Sequence, residues 1–228
     1  MIFGLLTSDE TQAIVLSLWV ASAAVIASLP LGVLLGWLLA RRQFVGKTIV
    51  ETLINLPLVL PPVVTGYLLL VLFGQRGPLG PLLERFNLAF VFNWKGAALA
   101  SAVMAFPLMV RSIRLAIASV DPKLEQAARS LGARPLDVLW SVTLPLAKNG
   151  LIAGCILAFA RSLGEFGATI MIAGSIPGET RTIPLEIYSL LESPGGDVQG
   201  LRLVIVSVVI AFAAMAASEW LERRGKGT

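Results

Sequence analysis

The sequence predicts an all-α integral membrane protein, a bundle of five helices forming one domain over residues 1–228. Three observations predict it. Of 228 residues, 56% are hydrophobic and only 14% charged, with a mean hydropathy of +0.83. A soluble domain carries about a quarter charged residues, so this chain cannot cover itself with polar surface in water. The apolar residues gather in runs of the length a helix needs to cross a bilayer, about 20 residues. The basic residues fall mostly on one side of those runs.

The expected spans are about 12–40, 50–73, 96–118, 147–173 and 200–221. Thr11 to Ala40 and Thr52 to Gln75 contain no charge. The third run is apolar until Arg111 and Arg114 near its end, and the fourth is interrupted only by Arg161 and Glu165. The first run follows Asp9 and Glu10 with no Lys or Arg before it. A cleaved signal peptide would begin with a basic segment and be shorter, so we read a retained span. Basic residues set orientation. Arg41, Arg42, Lys47, Arg111, Arg114, Lys123, Arg129, Arg134, Lys148, Arg223, Arg224 and Lys226 lie on one side, against Arg76, Arg85, Lys95, Arg181 and Arg202 on the other. The richer side is expected to be cytoplasmic, with the N-terminus outside and the C-terminus inside.

Gly32 and Gly36, and Gly150 and Gly154, form GxxxG pairs that let helix backbones approach. Asn55, Pro57, Pro61 and Pro62 fall in the second run. Each proline frees a backbone carbonyl, which survives in lipid only where protein or a wet cavity satisfies it. Two readings stay open: a broken helix beside a translocation pathway, or Pro57 marking a helix start at the membrane surface.

Several chemistries are excluded. There is no histidine, so no triad can be completed, and no paired carboxylates lie within a span. Cys155 is the single cysteine, so neither an intrachain disulfide nor a thiolate–zinc cluster can form; it reads as a packing residue. No metal site is expected. Gly46-Lys47-Thr48 resembles the end of a phosphate-binding loop, but Arg41 stands where the first glycine belongs. Any ATP must be hydrolysed by another chain.

The segment from Asp121 to Pro145 carries the strongest local signal. Asp121 can cap a helix that Pro122 begins. Leu124, Ala127, Ala128 and Leu131 form an apolar stripe, with Lys123, Glu125, Gln126, Arg129 and Ser130 at the other positions. Gly132 supplies a stop. Pro135 can start a second helix, which Leu144-Pro145 closes before the next span. Such helices either lie on a membrane or fit a partner's groove.

Here a resemblance adds what spacing alone leaves open. Gln126-Ala127-Ala128, then Gly132, then Val142-Thr143-Leu144-Pro145 resembles the EAA signature of binding-protein-dependent ABC importer permeases. The family pattern begins with Glu; here Gln126 stands first, with Glu125 one position earlier. Leu157 to Thr169, Asn55 to Gly66 and Ala105 to Arg111 are similar to segments of the molybdate and sulfate permeases. Ile176 to Pro184 and Ser193 to Gly196 look most like the molybdate permeases. The likeness runs from about Gln12 to the end of the last span.

The resemblance implies the five-helix importer permease fold with cytoplasmic coupling helices over about 121–145. It implies a homodimer, two cytoplasmic ATP-binding subunits, and a periplasmic or extracellular oxyanion-binding protein. ATP and Mg would sit on the partner ATPase, with no cofactor on this chain and no nucleic acid partner; membrane lipid is the surrounding partner. The implied cargo is molybdate, with tungstate or sulfate and thiosulfate as alternatives. A secondary transporter or channel working without an ATPase is the other class.

The coupling residues would be Glu125, Gln126, Ala127, Ala128, Gly132, Leu144 and Pro145. For Arg161 and Glu165, four residues apart on one helix face, two readings are open: lining or gating the oxyanion pathway with Asn55, Pro57, Pro61 and Pro62, or a structural ion pair. Arg111 and Arg114 could draw an anion inward or anchor the span. Arg181, in an amphipathic segment from Thr180 to Glu192, is the candidate binding-protein contact, with Glu179, Glu186, Glu192 and Asp197 read as solvated charges.

Overall fold

The computed structural model describes residues 6–86 and 88–225, with the side chains of 84 and 221–225 undescribed. The elements are α1 (Ser8–Arg41), α2 (Lys47–Val59), α3 (Pro62–Phe73), α4 (Gly80–Arg85), α5 (Trp94–Ala118), α6 (Pro122–Ser130), α7 (Pro135–Val138), α8 (Leu144–Leu163), α9 (Gly167–Ala173), α10 (Ile183–Leu191) and α11 (Asp197–Gly225), with a π turn over Leu139–Thr143. No strand occurs among the described residues. Four helical stretches, Ser8–Arg41, Trp94–Ala118, Pro135–Leu163 and Asp197–Trp220, are long and apolar enough to cross a membrane. The α2–α3 pair makes a fifth, bent by 114° at Leu60-Pro61.

α5 is the central helix. Met109, Ile113 and Ile117 on it are fully buried, held by α1 on one side and α8 on the other. Glycine makes this closeness possible. A Cβ on Gly36 would lie 2.7 Å from the Ile113 side chain, and one on Gly150 would lie 2.4 Å from Ala116 Cβ. Both GxxxG pairs therefore face α5. α1 is opened by a capping box: the Glu10 amide donates to Thr7 Oγ1, and the Thr7 amide donates to the Glu10 carboxylate at 2.6 Å. The same buried carboxylate meets Arg202 of α11 at 3.1 Å, tying the first helix to the last.

The contacts also fix relative depth. Gly150 faces Ala116 and Gly154 faces Ser112, so α8 runs antiparallel to α5. The same register places Arg161 level with Ala105, near the middle of α5. Glu51 of α2 meets Arg114 at 2.9 Å, and carrying that register forward places the α2–α3 break at the same level. Pro57 lies inside α2, not at its start, which removes the reading of Pro57 as a surface helix start. The bend falls at Leu60-Pro61 instead, because Pro61 and Pro62 together deny the helix two donors.

The fourth expected span, 147–173, is not one helix. α8 ends at Leu163 and α9 begins at Gly167. Two glycines flank the break, and Glu165 sits in it rather than on α8.

Candidate coupling and translocation site

α6 is built as its sequence suggests. The Lys123 amide donates to the Asp121 side chain at 2.9 Å, and Pro122 occupies the first turn, where its missing N–H is harmless. Gly132 ends the helix at φ +92°, in the left-handed region that favours glycine. The Gly132 amide donates to the Arg129 carbonyl (2.9 Å) and the Ala133 amide to Ala128 (3.1 Å), the paired bonds of a Schellman stop.

α6 turns its apolar stripe outward and an acidic residue inward. The apolar stripe does not pack on the bundle: Leu124 is exposed and Leu131 is 91% exposed. The packed residue is Glu125, only 4% exposed. Its carboxylate accepts from Arg41 Nε at 3.0 Å and from the Thr143 hydroxyl at 2.9 Å, with Arg129 at 3.7 Å. Arg41 also donates to the Val120 carbonyl at 2.8 Å. The buried carboxylate thus joins α6 to the end of α1 and to the π turn before α8, and Arg41 extends the network to the segment after α5. Arg41 and Thr143 complete this site; Thr143 falls in the Val142–Pro145 stretch of the signature, whereas nothing local points to Arg41, 84 residues from Glu125.

Gln126 and Ala127 are exposed and Ala128 is half-buried. Leu144-Pro145 does not close the second helix, which is a further correction. Pro135 to Leu163 runs without interruption, and the π turn over Leu139–Thr143 precedes Pro145. Pro145 has no N–H for the preceding turn, and the wider π turn accommodates that loss. Beyond α6, Leu136 is exposed and Trp140 is 70% exposed. With Leu131 they leave an apolar edge at the basic end of the bundle, of the kind that marks an interaction surface.

Halfway along the bundle the two helix breaks meet. A Cβ on Gly167 would lie 2.9 Å from Pro62 Cβ, and one on Gly66 would lie 2.6 Å from the Ala168 carbonyl. The first turns of α3 and α9 are therefore side by side. Arg161 pairs with Glu165 at 2.9 Å, and the other Glu165 oxygen accepts from the Ala168 amide at 2.9 Å. Glu165 is thus both an ion-pair partner and the cap of α9. Thr65, Ser162 and Thr169, one on each of the three helices that meet here, have buried hydroxyl oxygens with no hydrogen-bond partner among the described residues. Buried polar atoms ordinarily find one, so these three hydroxyls retain hydrogen-bonding capacity where the breaks meet. Asn55 is exposed below the break, with its side-chain amide donating to the Glu51 carbonyl at 2.7 Å.

At the end opposite α6, Arg181 is committed to its own loop. It donates to Ser175 Oγ at 3.2 Å and pairs with Glu186 at 3.3 Å. Glu186 is buried, so it is not the solvated charge expected of it; the local ion pair with Arg181 is the reason. Glu192 pushes the Tyr188 phenol above its ordinary pKa, first by a hydrogen bond and then by its charge.

Comparisons with known proteins agree with this architecture. Residues 28–226 match the family described as binding-protein-dependent transport system inner membrane component. The chain is 56% identical over 220 residues to the molybdenum transport system permease protein ModB of Escherichia coli K12, covering 96% of each. It is 52% identical over 216 residues to ModB of Haemophilus influenzae, covering 94% of each. The fold is shared with a solved chain of the MetNI methionine ABC transporter in inward-facing conformations, at a TM-score of 0.66 and 17% identity, over 96% of this chain and 99% of that one. The chain belongs to the family of binding-protein-dependent transport system inner membrane components, as a multi-pass transport subunit rather than an enzyme.

Proposed function

We propose that this chain is the membrane-spanning subunit of an ATP-driven importer of molybdate, working as a homodimer. Two ATP-binding subunits would sit at the basic end, which positive-inside bias assigns to the cytoplasm. An oxyanion-binding protein would sit at the opposite end. ATP and Mg belong to the ATPase. The near full-length likeness to molybdenum permeases supports the cargo.

The observation that carries the mechanism is the seating of α6. Its apolar edge is free for an ATPase, while Glu125 fastens the helix to α1 and α8. Docking falls to Gln126, Ala127, Ala128 and the Gly132 corner, and Glu125 transmits. When the ATPases close, α6 moves and carries Arg41 and Thr143 with it. α1 and the π turn before α8 then shift against α5. A coupling element must make different contacts in the two states for ATP to bias them. The motion reaches the meeting point of the α2–α3 and α8–α9 breaks, where Arg161 faces the pathway and Glu165 stays neutralised beside it. Pro57, Pro61 and Pro62 supply the bend, and Asn55 lies below it. Arg181, held in its loop, shapes the outer surface that the binding protein meets.

Reconstitution in vesicles with the ATPase and binding protein tests the proposal. Radiolabelled molybdate uptake should require ATP, and tungstate should compete more strongly than sulfate. Uptake by this chain alone, driven by an ion gradient, would overturn it.

A further inference from the structure

We infer that a cavity between α1, α2 and α5 is a second, low-affinity oxyanion station on the cytoplasmic side of the helix breaks. The inference rests on the importer reading above. The cavity, of about 250 Å³, is lined by Leu39, Glu51, Asn55, Pro107, Arg111 and Arg114 among others.

Its charge is uneven in a specific way. Arg114 is neutralised by Glu51 at 2.9 Å. Arg111 has no hydrogen-bond or ion-pair partner among the described residues, and its side chain is exposed. The cavity therefore carries one uncompensated positive charge. Arg111 lies seven residues from the end of α5, about 10 Å inside it at 1.5 Å per residue. An unpaired guanidinium two turns inside a span ordinarily faces a wet cavity or reaches toward the interface, and that of Arg111 lines this cavity. Asn55 uses one side-chain N–H on the Glu51 carbonyl, which leaves the second available.

The ligand class follows from these donors. A guanidinium fork and a neutral amide suit a tetrahedral oxyanion. Asn55 is five residues before the bend at Leu60, so the station lies directly inward of the breaks. One uncompensated arginine, partly open to solvent, holds a dianion weakly. That is the property an exit step needs, since a transported ion must enter the site and also leave it.

The test uses the whole transporter in vesicles, with wild type establishing ATP-dependent uptake first. If wild type fails, the importer reading fails; the station is judged only against an active wild type. For Arg111→Gln, molybdate uptake at saturating binding protein should fall at least tenfold. ATPase stimulation by the loaded binding protein should stay within twofold, because α6 is untouched. Arg111→Lys should restore uptake to within threefold of wild type. Where Arg111→Gln does not assemble, Asn55→Ala should slow uptake at least threefold in an assembled complex. Uptake within twofold of wild type for Arg111→Gln, or for Asn55→Ala in its place, would overturn the station. So would an Arg111 dependence that vanishes in phosphatidylcholine vesicles lacking anionic lipid, since the guanidinium would then serve a lipid headgroup.

Discussion

Removing Arg41 is the perturbation that most directly probes how α6 is held. In Arg41→Met the Glu125 carboxylate stays buried but loses its 3.0 Å partner. What remains is the Thr143 hydroxyl at 2.9 Å and Arg129 at 3.7 Å, the latter on a side chain that is 51% exposed. An exposed pair contributes only about 0–1 kcal/mol, so Arg129 cannot replace Arg41. Breaking a buried pair by removing one partner costs about 3–5 kcal/mol. With the residual partners offsetting part of that, the net loss is about 2–3 kcal/mol. The seating equilibrium of α6 then shifts by roughly 30- to 150-fold. Amide hydrogen exchange over residues 122–131 in the assembled transporter reads that shift as faster exchange. ATP-dependent uptake should fall at least tenfold while basal ATP hydrolysis continues. The double variant Arg41→Met/Glu125→Met should recover much of the protection, because no charge is left buried and unpaired. Unchanged exchange and full uptake in Arg41→Met would show that Arg41 does not hold α6, as would a double variant worse than either single one.

Three further outcomes follow from other contacts. Gly132→Val should lose ATPase co-purification and Gly132→Asn should keep most of it. A Cβ there meets nothing within 4 Å, so the cost is left-handed backbone strain, about 1–2 kcal/mol. Gly66→Ala should assemble yet transport several-fold more slowly, because its Cβ would press on the Ala168 carbonyl and separate α3 from α9, an overpacking of about 1–3 kcal/mol. Arg161→Ala should abolish uptake by leaving Glu165 buried without its cation. Normal assembly with unchanged uptake in that variant would sink the pathway role of the pair.

Much of the architecture was legible because it rests on local chemistry. The uncharged runs, the Asp121 cap, the Gly132 stop and the glycine pairs each declare themselves within a few residues. The double proline at Pro61-Pro62 announced a break, although only the structure shows that Pro57 is tolerated inside α2. What escaped was set by distant partners. α6 reads as an amphipathic helix with Glu125 on its polar side, and only the contacts with Arg41, 84 residues away, and Thr143 show that Glu125 is turned inward. Glu165 looked like a residue in mid-helix. The flanking Gly164 and Gly167 were the available signal for the break, and the cap it provides to Ala168 became visible only in three dimensions. Arg181 and Glu186 read as surface charges because their spacing does not reveal that they close on each other.

In the proposed mechanism ATP-driven motion enters through the exposed edge of α6. Cross-linking tests it most directly. In a Cys155→Ser background, Leu131→Cys supplies a single thiol on that edge, and the ATPase carries a cysteine in its permease-facing groove. A disulfide between the two subunits should form in the assembled transporter and change in yield when ATP is bound. Leu131→Cys should react with an impermeant maleimide only from the cytoplasmic face. Labelling from the opposite face, or an active transporter in which no such cross-link forms at any position along Leu124, Leu131 and Leu136, would contradict the mechanism.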